Sequence, residues 1–244
     1  MTGHDTTGAG LPERAVRELA AATATLVADH DVIGSITSLL HGCADSVEAA
    51  AAGIIVTAPG RGLEFLAGTD HRAEHLELYQ VQVDEGPGVD CVAGRRPVTV
   101  VGLAQVAARW PSLLDAFLAA GFDGVHAAPM AWRGQMLGAV NLFFDSKEPR
   151  GETALVAQAF ADIASLVILR NSPLAAADIA ARTQAALADR VIIERAKGVI
   201  AYIEDLSMDA AFDRLVMMAR ERRHPLTAVA ASVVDQAAGE SSPR

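Results

Sequence analysis

Basic residues near the C-terminus are the side chains whose type and spacing point most clearly to chemistry. Arg190 and Lys197 lie seven residues apart, a spacing that places both on the same face of a helix. The segment 220–223 adds three more cations. Guanidinium and ammonium groups bind phosphate, and guanidinium planes also stack on unpaired bases. The candidate nucleic-acid-binding residues are therefore Arg190, Lys197, Arg220, Arg222 and Arg223.

The segment His71–His75 has the one metal-like spacing that the sequence offers. Its order, His-Arg-Ala-Glu-His, fits the His-x-x-Glu-His pattern of a group of zinc peptidases. The neighbouring sequence lacks the long buried helix of such enzymes, and no third ligand is indicated. A polar helix start after Thr69 and Asp70 explains the same residues. We therefore expect no metal, no cofactor and no catalytic residues.

The two cysteines, Cys43 and Cys91, are too few for a disulfide framework or a four-cysteine zinc site. So few cysteines suit a protein in the reducing interior of a cell. Cys43 lies on the apolar face of a predicted helix and is expected in the core. Cys91 is interpreted either as a thiol sensor beside a ligand cleft or as a small buried apolar residue.

The composition limits the partners of the chain. Its 244 residues contain 20 Lys and Arg against 30 Asp and Glu, a formal net charge of −10. This balance excludes a protein that coats nucleic acid with a uniformly basic surface, and a protein that binds a membrane through a polybasic surface. The first ten residues do not resemble a signal peptide, and no uncharged run approaches the roughly 18 apolar residues of a membrane span. The chain is therefore expected to be cytoplasmic, without a membrane partner.

The larger N-terminal part predicts an α+β fold. Its elements alternate so that hairpins form an antiparallel sheet with helices packed on it. Pro129 lies within a predicted strand, which indicates a sheet edge or a bulge at that position. The predicted helices span 11–29, 31–48, 70–83 and 151–170. The predicted strands span 53–57, 63–69, 97–101, 125–131 and 136–144. A loop followed by a helix is predicted over 103–120.

The C-terminal part predicts three helices. Ser172 and Pro173 begin a long helix over 174–205, Ser207 caps a second helix over 208–223, and a third runs from Pro225 to about Gln236. Each helix carries one apolar stripe, so the three are expected to form a bundle. The stripes are Ile192, Ala196, Val199 and Ile203, widened by Ile193 and Ile200; Met208, Ala211, Phe212, Leu215 and Ala219; and Leu226, Val229, Ala230 and Val233.

Gly198 lies in the middle of the long helix, where glycine costs about 1 kcal/mol relative to alanine. This cost predicts that another backbone approaches closely there.

A pattern at fixed spacing runs through the three helices of this bundle. It consists of Ala196-Lys197-Gly198, Ser207, Ala211-Phe212, Leu215, Ala219-Arg220, Leu226 and Val229-Ala230. These residues resemble the ANTAR domain over about 180–237. That resemblance implies an RNA-binding module of antitermination regulators, which binds paired RNA hairpins, generally as a dimer, and prevents a terminator from forming. Lys197 and Arg220 match the family pattern directly, whereas Val216 replaces a usual arginine and Arg223 a frequent asparagine.

Four segments of the N-terminal part carry a second resemblance. They are Asp84-Glu85-Gly86-Pro87, Gly94-Arg95-Arg96-Pro97-Val98, Arg109-Trp110-Pro111 and Gly138-Ala139-Val140-Asn141-Leu142. With these segments, residues 30–170 resemble a GAF domain of the kind joined to ANTAR domains in actinobacteria. The resemblance implies a sensor for a small-molecule or protein signal, whose ligand-binding residues are unknown.

Together these features predict a cytoplasmic regulator with a GAF sensor and an RNA-binding output. The alternative is a DNA-binding regulator, but residues 225–234 of the third helix contain no Lys or Arg for reading a groove. A homodimer is expected through a seam of Leu174, Ala177, Ala181, Ala188 and Val191, interrupted by Gln184. The predicted organisation is a disordered start over 1–10, a GAF-like domain over 11–170, a helical linker or coiled coil over 171–189, an ANTAR domain over 190–237 and a tail over 238–244.

Overall fold

A computed structural model gives the architecture of residues 13–28, 31–58, 60–145, 149, 151–169, 176–222 and 224–240. The predicted disordered start over 1–10 and the helix start at Ser172 and Pro173 lie outside these described residues, as does Arg223.

The N-terminal domain is an α+β structure, as predicted. Almost every predicted helix and strand is present, with shifts of a few residues at the ends. Its elements are α1 (Glu13–Ala28), α2 (Val32–Val47), β1 (Ala51–Ala58), β2 (Gly62–Gly68), α3 (His71–Val83), α4 (Pro87–Gly94), β3 (Val98–Val101), α5 (Leu103–Arg109), α6 (Leu114–Ala120), β4 (Gly124–Trp132), β5 (Gln135–Phe144) and α7 (Thr153–Leu169).

Helix α4 was not predicted, because its first residues read as a break between elements. Asp84 and Gly86 both have positive φ angles, of 54° and 147°, so the chain does turn there. Pro87 then takes the first helical position, where a missing N–H costs nothing and φ is already close to the helical value. The same residues therefore end α3 and begin α4.

Five antiparallel strands form one sheet in the order β2-β1-β5-β4-β3. The β4–β5 hairpin turns at Arg133 and Gly134, whose φ angles of 47° and 82° suit a tight hairpin turn. Pro129 pairs with Ala139 of β5 and lies past the end of β3, next to a bulge between residues 130 and 131. This confirms the expected edge or bulge.

Helices cover both faces of the sheet. Helices α1, α2 and α7 pack on one face, and α3 to α6 enclose the other. Cys43 is buried in the first layer, as predicted, and Cys91 is buried in the second. Burial raises the pKa of both thiols, that of Cys91 to about 12, so both stay protonated near neutral pH. This favours the interpretation of Cys91 as a small buried residue.

Three helices follow the N-terminal domain: α8 (Ala176–Glu204), α9 (Met208–Arg222) and α10 (Leu226–Glu240). They form the predicted bundle, and α8 also packs against α2, β1 and β2. Ser207 caps α9 by accepting a hydrogen bond from the amide of Ala210 at 3.2 Å. The buried stripes are Ile193, Ala196 and Ile200; Ala211, Leu215 and Ala219; and Leu226, Val229, Ala230 and Val233.

Two predicted stripe positions are wrong. Ile203 is 65% exposed and Met208 is 40% exposed. Both flank the turn at Asp205, where a φ of 52° reverses the chain. Side chains in the last turn of one helix and the first turn of the next therefore extend past the packed part of the bundle.

Candidate nucleic-acid interface

Arg190 lies on α8 and faces the N-terminal domain. Its guanidinium carbon is 4.3 Å from the centroid of the Phe65 ring, and Nη1 donates to the Phe65 carbonyl oxygen at 3.2 Å. Nη2 is 3.5 Å from Oε1 of Glu74 on α3. Arg190 thus combines a cation–π contact, a hydrogen bond and an ion pair with the N-terminal domain.

Lys197 lies two turns further along the same face of α8. Its Nζ atom is 3.0 Å from both carboxylate oxygens of Glu194 and 3.7 Å from Oε2 of Glu74. It also lies 5.7 Å from the Phe212 ring centroid. Only 8% of the lysine side chain is exposed. The ammonium group is therefore held between two carboxylates rather than solvated.

Further polar contacts join the bundle to the N-terminal domain on either side of this ion pair. His71 Nδ1 lies 2.8 Å from Oδ2 of Asp209 at the start of α9. The carboxylate of Asp31, which caps α2, also accepts a hydrogen bond from the amide of Leu226 at the start of α10. Both contacts connect residues that begin helices, so they fix the bundle at its helix ends.

A cavity of about 180 Å³ lies at this junction. The seam between the bundle and the N-terminal domain is therefore incompletely packed. Its lining is rich in carboxylates and includes Asp70, Glu74, Glu194, Asp209 and Asp213 together with Lys197 and Arg190.

Arg220 and Arg222 occupy a different place, in the last turn of α9, where both are exposed. Arg220 lines an open groove between α2 and α9, which also contains Glu18, Asp45 and His224 and adjoins the seam cavity at Phe212 and Asp213. The four predicted cations that the structure describes are thus divided. Arg190 and Lys197 are brought together against Glu74, while Arg220 and Arg222 face solvent.

The outer face of α8 carries residues that the prediction of binding residues omitted. Arg195 is exposed, and Tyr202, seven residues later on the same face, is 89% exposed. Gly198 lies between them, and a Cβ atom built there meets nothing within 4 Å in the described structure. The prediction of a close backbone approach at Gly198 is therefore wrong within this chain. The spacing of Arg195 and Tyr202 was visible in the sequence and indicated a shared face.

The zinc-peptidase pattern does not form a metal centre in the described structure. His71 and Glu74 point to different partners, Asp209 and the two cations of α8. Within the described residues, no three His, Cys, Asp or Glu side chains cluster to hold a metal ion.

A buried polar group lies inside the N-terminal domain. The amide of Asn141 donates to both Glu77 oxygens at 2.8 and 2.9 Å, and Gln80 accepts from the amide of Gly88 at 3.0 Å. Burial raises the pKa of Glu77 to about 8, although its hydrogen bonds act in the opposite direction. Gly53 and Gly88 leave the space that these side chains fill, since a Cβ atom at either position would overlap them.

Comparison with known proteins identifies the C-terminal bundle. Residues 181–234 match the sequence family described as the ANTAR domain. The match includes all of α9 and most of α10, and it begins within the segment predicted as a linker. No curated protein matches the chain. Of the helices in the described parts of the chain, none has both the length and the apolar character to cross a membrane.

Solved structures identify the fold of the N-terminal domain. The GAF domain from a phosphoenolpyruvate-protein phosphotransferase of Coxiella burnetii aligns with a TM-score of 0.51 at 14% identity, over 64% of this chain and 92% of that one. The GAF domain from the Acinetobacter phosphoenolpyruvate-protein phosphotransferase aligns with a TM-score of 0.51 at 10% identity, over 64% and 93%. The chain therefore joins a domain with a GAF-like fold to a segment that matches the ANTAR domain, as the resemblances implied.

Proposed function

We propose that this chain is a cytoplasmic regulator that binds paired RNA hairpins near terminators through its ANTAR domain and causes transcription antitermination. The observation that carries the proposal is the ANTAR match over 181–234, which coincides with the three-helix bundle. The GAF-like domain is the sensor for a small-molecule or protein signal. ANTAR and GAF domains are regulatory rather than typically catalytic, and the proposed activity requires no enzymatic step.

The exposed arginines of α9 supply the first phosphate contacts. Arg220 and Arg222 face solvent, and Arg223 follows them in the sequence. Because RNA binding releases counterions, each phosphate contact adds to the salt dependence of the affinity. Arg190 and Lys197 provide further phosphate contacts once their ion pairs with Glu74 are broken.

Tyr202 offers a stacking surface on the outer face of α8. Unpaired hairpin-loop bases can be splayed out and stacked on an aromatic ring or a guanidinium plane. Tyr202 is largely exposed, and Arg195 lies on the same face of α8. These two residues extend the proposed RNA face beyond the five predicted cations.

A second copy of the chain is the proposed partner of α8. Ala181, Ala188 and Val191 of the predicted seam are exposed along one side of this helix. Leu174 and the side chain of Ala177 lie outside the described residues. A dimer would present two RNA-binding patches to two hairpins, and the second contact would form at high effective concentration. Sedimentation measures this directly, and a strict monomer with and without RNA rejects the dimer.

RNA is favoured over DNA because the third helix lacks the residues that read a groove. The start of α10, from Leu226, contains no Lys or Arg up to Val234. A recognition helix usually presents basic or amide side chains at its N-terminal end.

Binding of the full chain to labelled RNA tests the proposal. The probes are an RNA with two short hairpins, a single hairpin and a DNA duplex, each titrated at several salt concentrations by fluorescence anisotropy. We expect the paired hairpins to bind best, and the double variant Arg220→Gln, Arg222→Gln to reduce the salt slope by about one per lost phosphate contact. Equal affinity for the DNA duplex contradicts the proposal.

A matched control is Arg96→Gln. Arg96 is exposed and lies two residues before β3, which is at the sheet edge opposite β2 and therefore away from α8. Its loss is expected to leave the salt slope unchanged. Transcription through a terminator preceded by paired hairpins then measures the biological effect, and unchanged read-through on adding the protein rejects antitermination.

A further inference from the structure

Glu74 of the GAF-like domain reaches both basic residues on the inner face of α8. Its Oε1 lies 3.5 Å from Arg190 Nη2, and its Oε2 lies 3.7 Å from Lys197 Nζ. A carboxylate and a phosphate present the same kind of anionic oxygen to these cations. We infer that Glu74 takes the place of an RNA phosphate, so that the structure is a masked state in which the GAF-like domain and RNA compete for Arg190 and Lys197. This inference rests on the proposed function.

Burial makes the competition exclusive. Lys197 is 8% exposed and Arg190 is 21% exposed at the side chain, and the Phe65 ring lies against the guanidinium plane of Arg190. A base cannot stack on the face of Arg190 that Phe65 covers. A phosphate cannot reach Lys197 while Glu74 and Glu194 surround its ammonium group. RNA therefore gains these two residues only when α8 separates from β2 and α3.

The masking contact is suited to opening. The seam contains a cavity of about 180 Å³ and polar contacts such as His71–Asp209, in addition to the apolar cluster that continues from the N-terminal domain into the bundle. Polar contacts cost less to separate than a packed apolar interface of equal area, because water replaces their hydrogen bonds once they open. Leu215 and Val229 of the bundle are buried and do not line this cavity.

Masking lowers the apparent RNA affinity through the equilibrium between the closed and the open arrangement. If RNA binds only the open arrangement, its apparent affinity falls by the fraction of molecules that are open. Any change that weakens the seam raises RNA affinity, and RNA in turn opens the seam by the same free energy. A signal bound by the GAF-like domain would act through this equilibrium if it favoured the open arrangement.

Glu74→Gln in the full chain tests the inference. The amide keeps the shape of the side chain but removes the charge that pairs with Arg190 and one of the two charges that pair with Lys197, since Glu194 remains. We expect the affinity for the paired-hairpin RNA, measured by anisotropy at fixed salt, to rise by about fivefold or more, which is the lower end of typical coupling between sites. Glu13→Gln removes the same charge from an exposed position in the first turn of α1 and controls for the change in net charge.

Hydrogen exchange supplies a readout that does not depend on affinity. In the wild-type chain, RNA is expected to increase amide exchange in β2 and α3, because both lose their contact with α8. Glu74→Gln should show part of this increase without RNA. Unchanged or reduced exchange in β2 and α3 on RNA binding overturns the masking role.

The outcomes separate the two claims. If the wild type and Glu74→Gln bind RNA with equal affinity, or if the variant binds more weakly, RNA binding stands and masking is wrong. If neither binds any of the RNA probes, the proposed function is wrong and masking falls with it. Circular dichroism confirms the fold of each variant. If Glu74→Gln fails to fold, Asp209→Asn breaks another contact of the same seam and is expected to act in the same direction with a smaller effect.

Discussion

The carboxylate of Asp31 is shared by two helices from opposite ends of the chain. Oδ1 accepts a hydrogen bond from the amide of Gly34 at 3.2 Å and thereby caps α2. Oδ2 accepts from the amide of Leu226, in the first turn of α10. Asp31 is only 4% exposed, so water cannot readily replace either bond. We predict that Asp31 contributes to the stability of both domains and to their attachment.

The expected loss in the free energy of unfolding follows from the number of hydrogen-bond acceptors that each Asp31 variant retains. In Asp31→Asn one oxygen is replaced by an amide group, which is itself a donor and cannot accept from Leu226 or Gly34. One cap is lost, and a buried N–H remains without its acceptor, which costs about 1–3 kcal/mol. Asp31→Ala removes both caps, each worth about 0.5–2 kcal/mol.

A second term opposes this loss. Burial raises the pKa of Asp189, and the negative charge of Asp31 raises it further. Neutralising Asp31 relieves that repulsion. The net loss for Asp31→Asn is therefore expected near the lower end of its range, about 1 kcal/mol, and the loss for Asp31→Ala about 2 kcal/mol.

Urea unfolding followed by circular dichroism measures the free energy of unfolding, and amide exchange at Leu226 reports the cap on α10. Asp45→Asn is the matched control, because Asp45 lies on the same helix α2 in an exposed ion pair with Arg14. Such pairs contribute less than about 1 kcal/mol. If Asp31→Ala costs no more than Asp45→Asn, or if Leu226 keeps its protection, the shared cap is not a stabilising contact.

Three further predictions concern single residues. The pKa of Glu77 is raised to about 8, above its ordinary value of 4.5, so its contribution to stability is complete below about pH 4.5 and is lost as the pH rises to about 8. This loss amounts to up to about 1.4 kcal/mol per pH unit. In urea unfolding at stepped pH, Glu77→Gln should make the free energy of unfolding less dependent on pH over this range. Gly198→Ala should raise the free energy of unfolding by about 1 kcal/mol in thermal denaturation, because its Cβ meets open space. Tyr202→Ala should weaken RNA binding by about 1–3 kcal/mol in anisotropy while Tyr202→Phe keeps most of the affinity, since the ring provides the stacking surface.

Local sequence patterns predicted what lies on one element and how elements follow each other. The long helix, the β4–β5 hairpin and the cap at Ser207 were all predicted, because each depends on neighbours within a few residues. The spacing of Arg190 and Lys197 likewise predicted a shared face, and Glu74 contacts both. The sequence around α8 contains no sign of Glu74, since that contact depends on how two distant segments pack.

The wrong predictions have the same origin. The low helix propensity of Gly198 predicted a closely packed neighbour whose contact would offset the lost stability, yet a Cβ atom at this position meets open space. Ile203 fits the helical period of a buried stripe but lies beyond the packed part of the bundle. Periodicity gives the direction of a side chain from its helix; it does not give how far along the helix the neighbour extends.

The division of the basic residues has a consequence for how the chain responds to RNA. Arg220 and Arg222 are exposed in the structure, so they can meet an RNA phosphate before the seam opens. Arg190 and Lys197 become available only after Glu74 is displaced. Because the first contacts hold the RNA beside the seam, a phosphate of the same molecule competes with Glu74 at high effective concentration. Glu74 of the N-terminal domain and an RNA phosphate are thus alternative anionic partners of one face of α8, and a signal needs only to shift the balance between them.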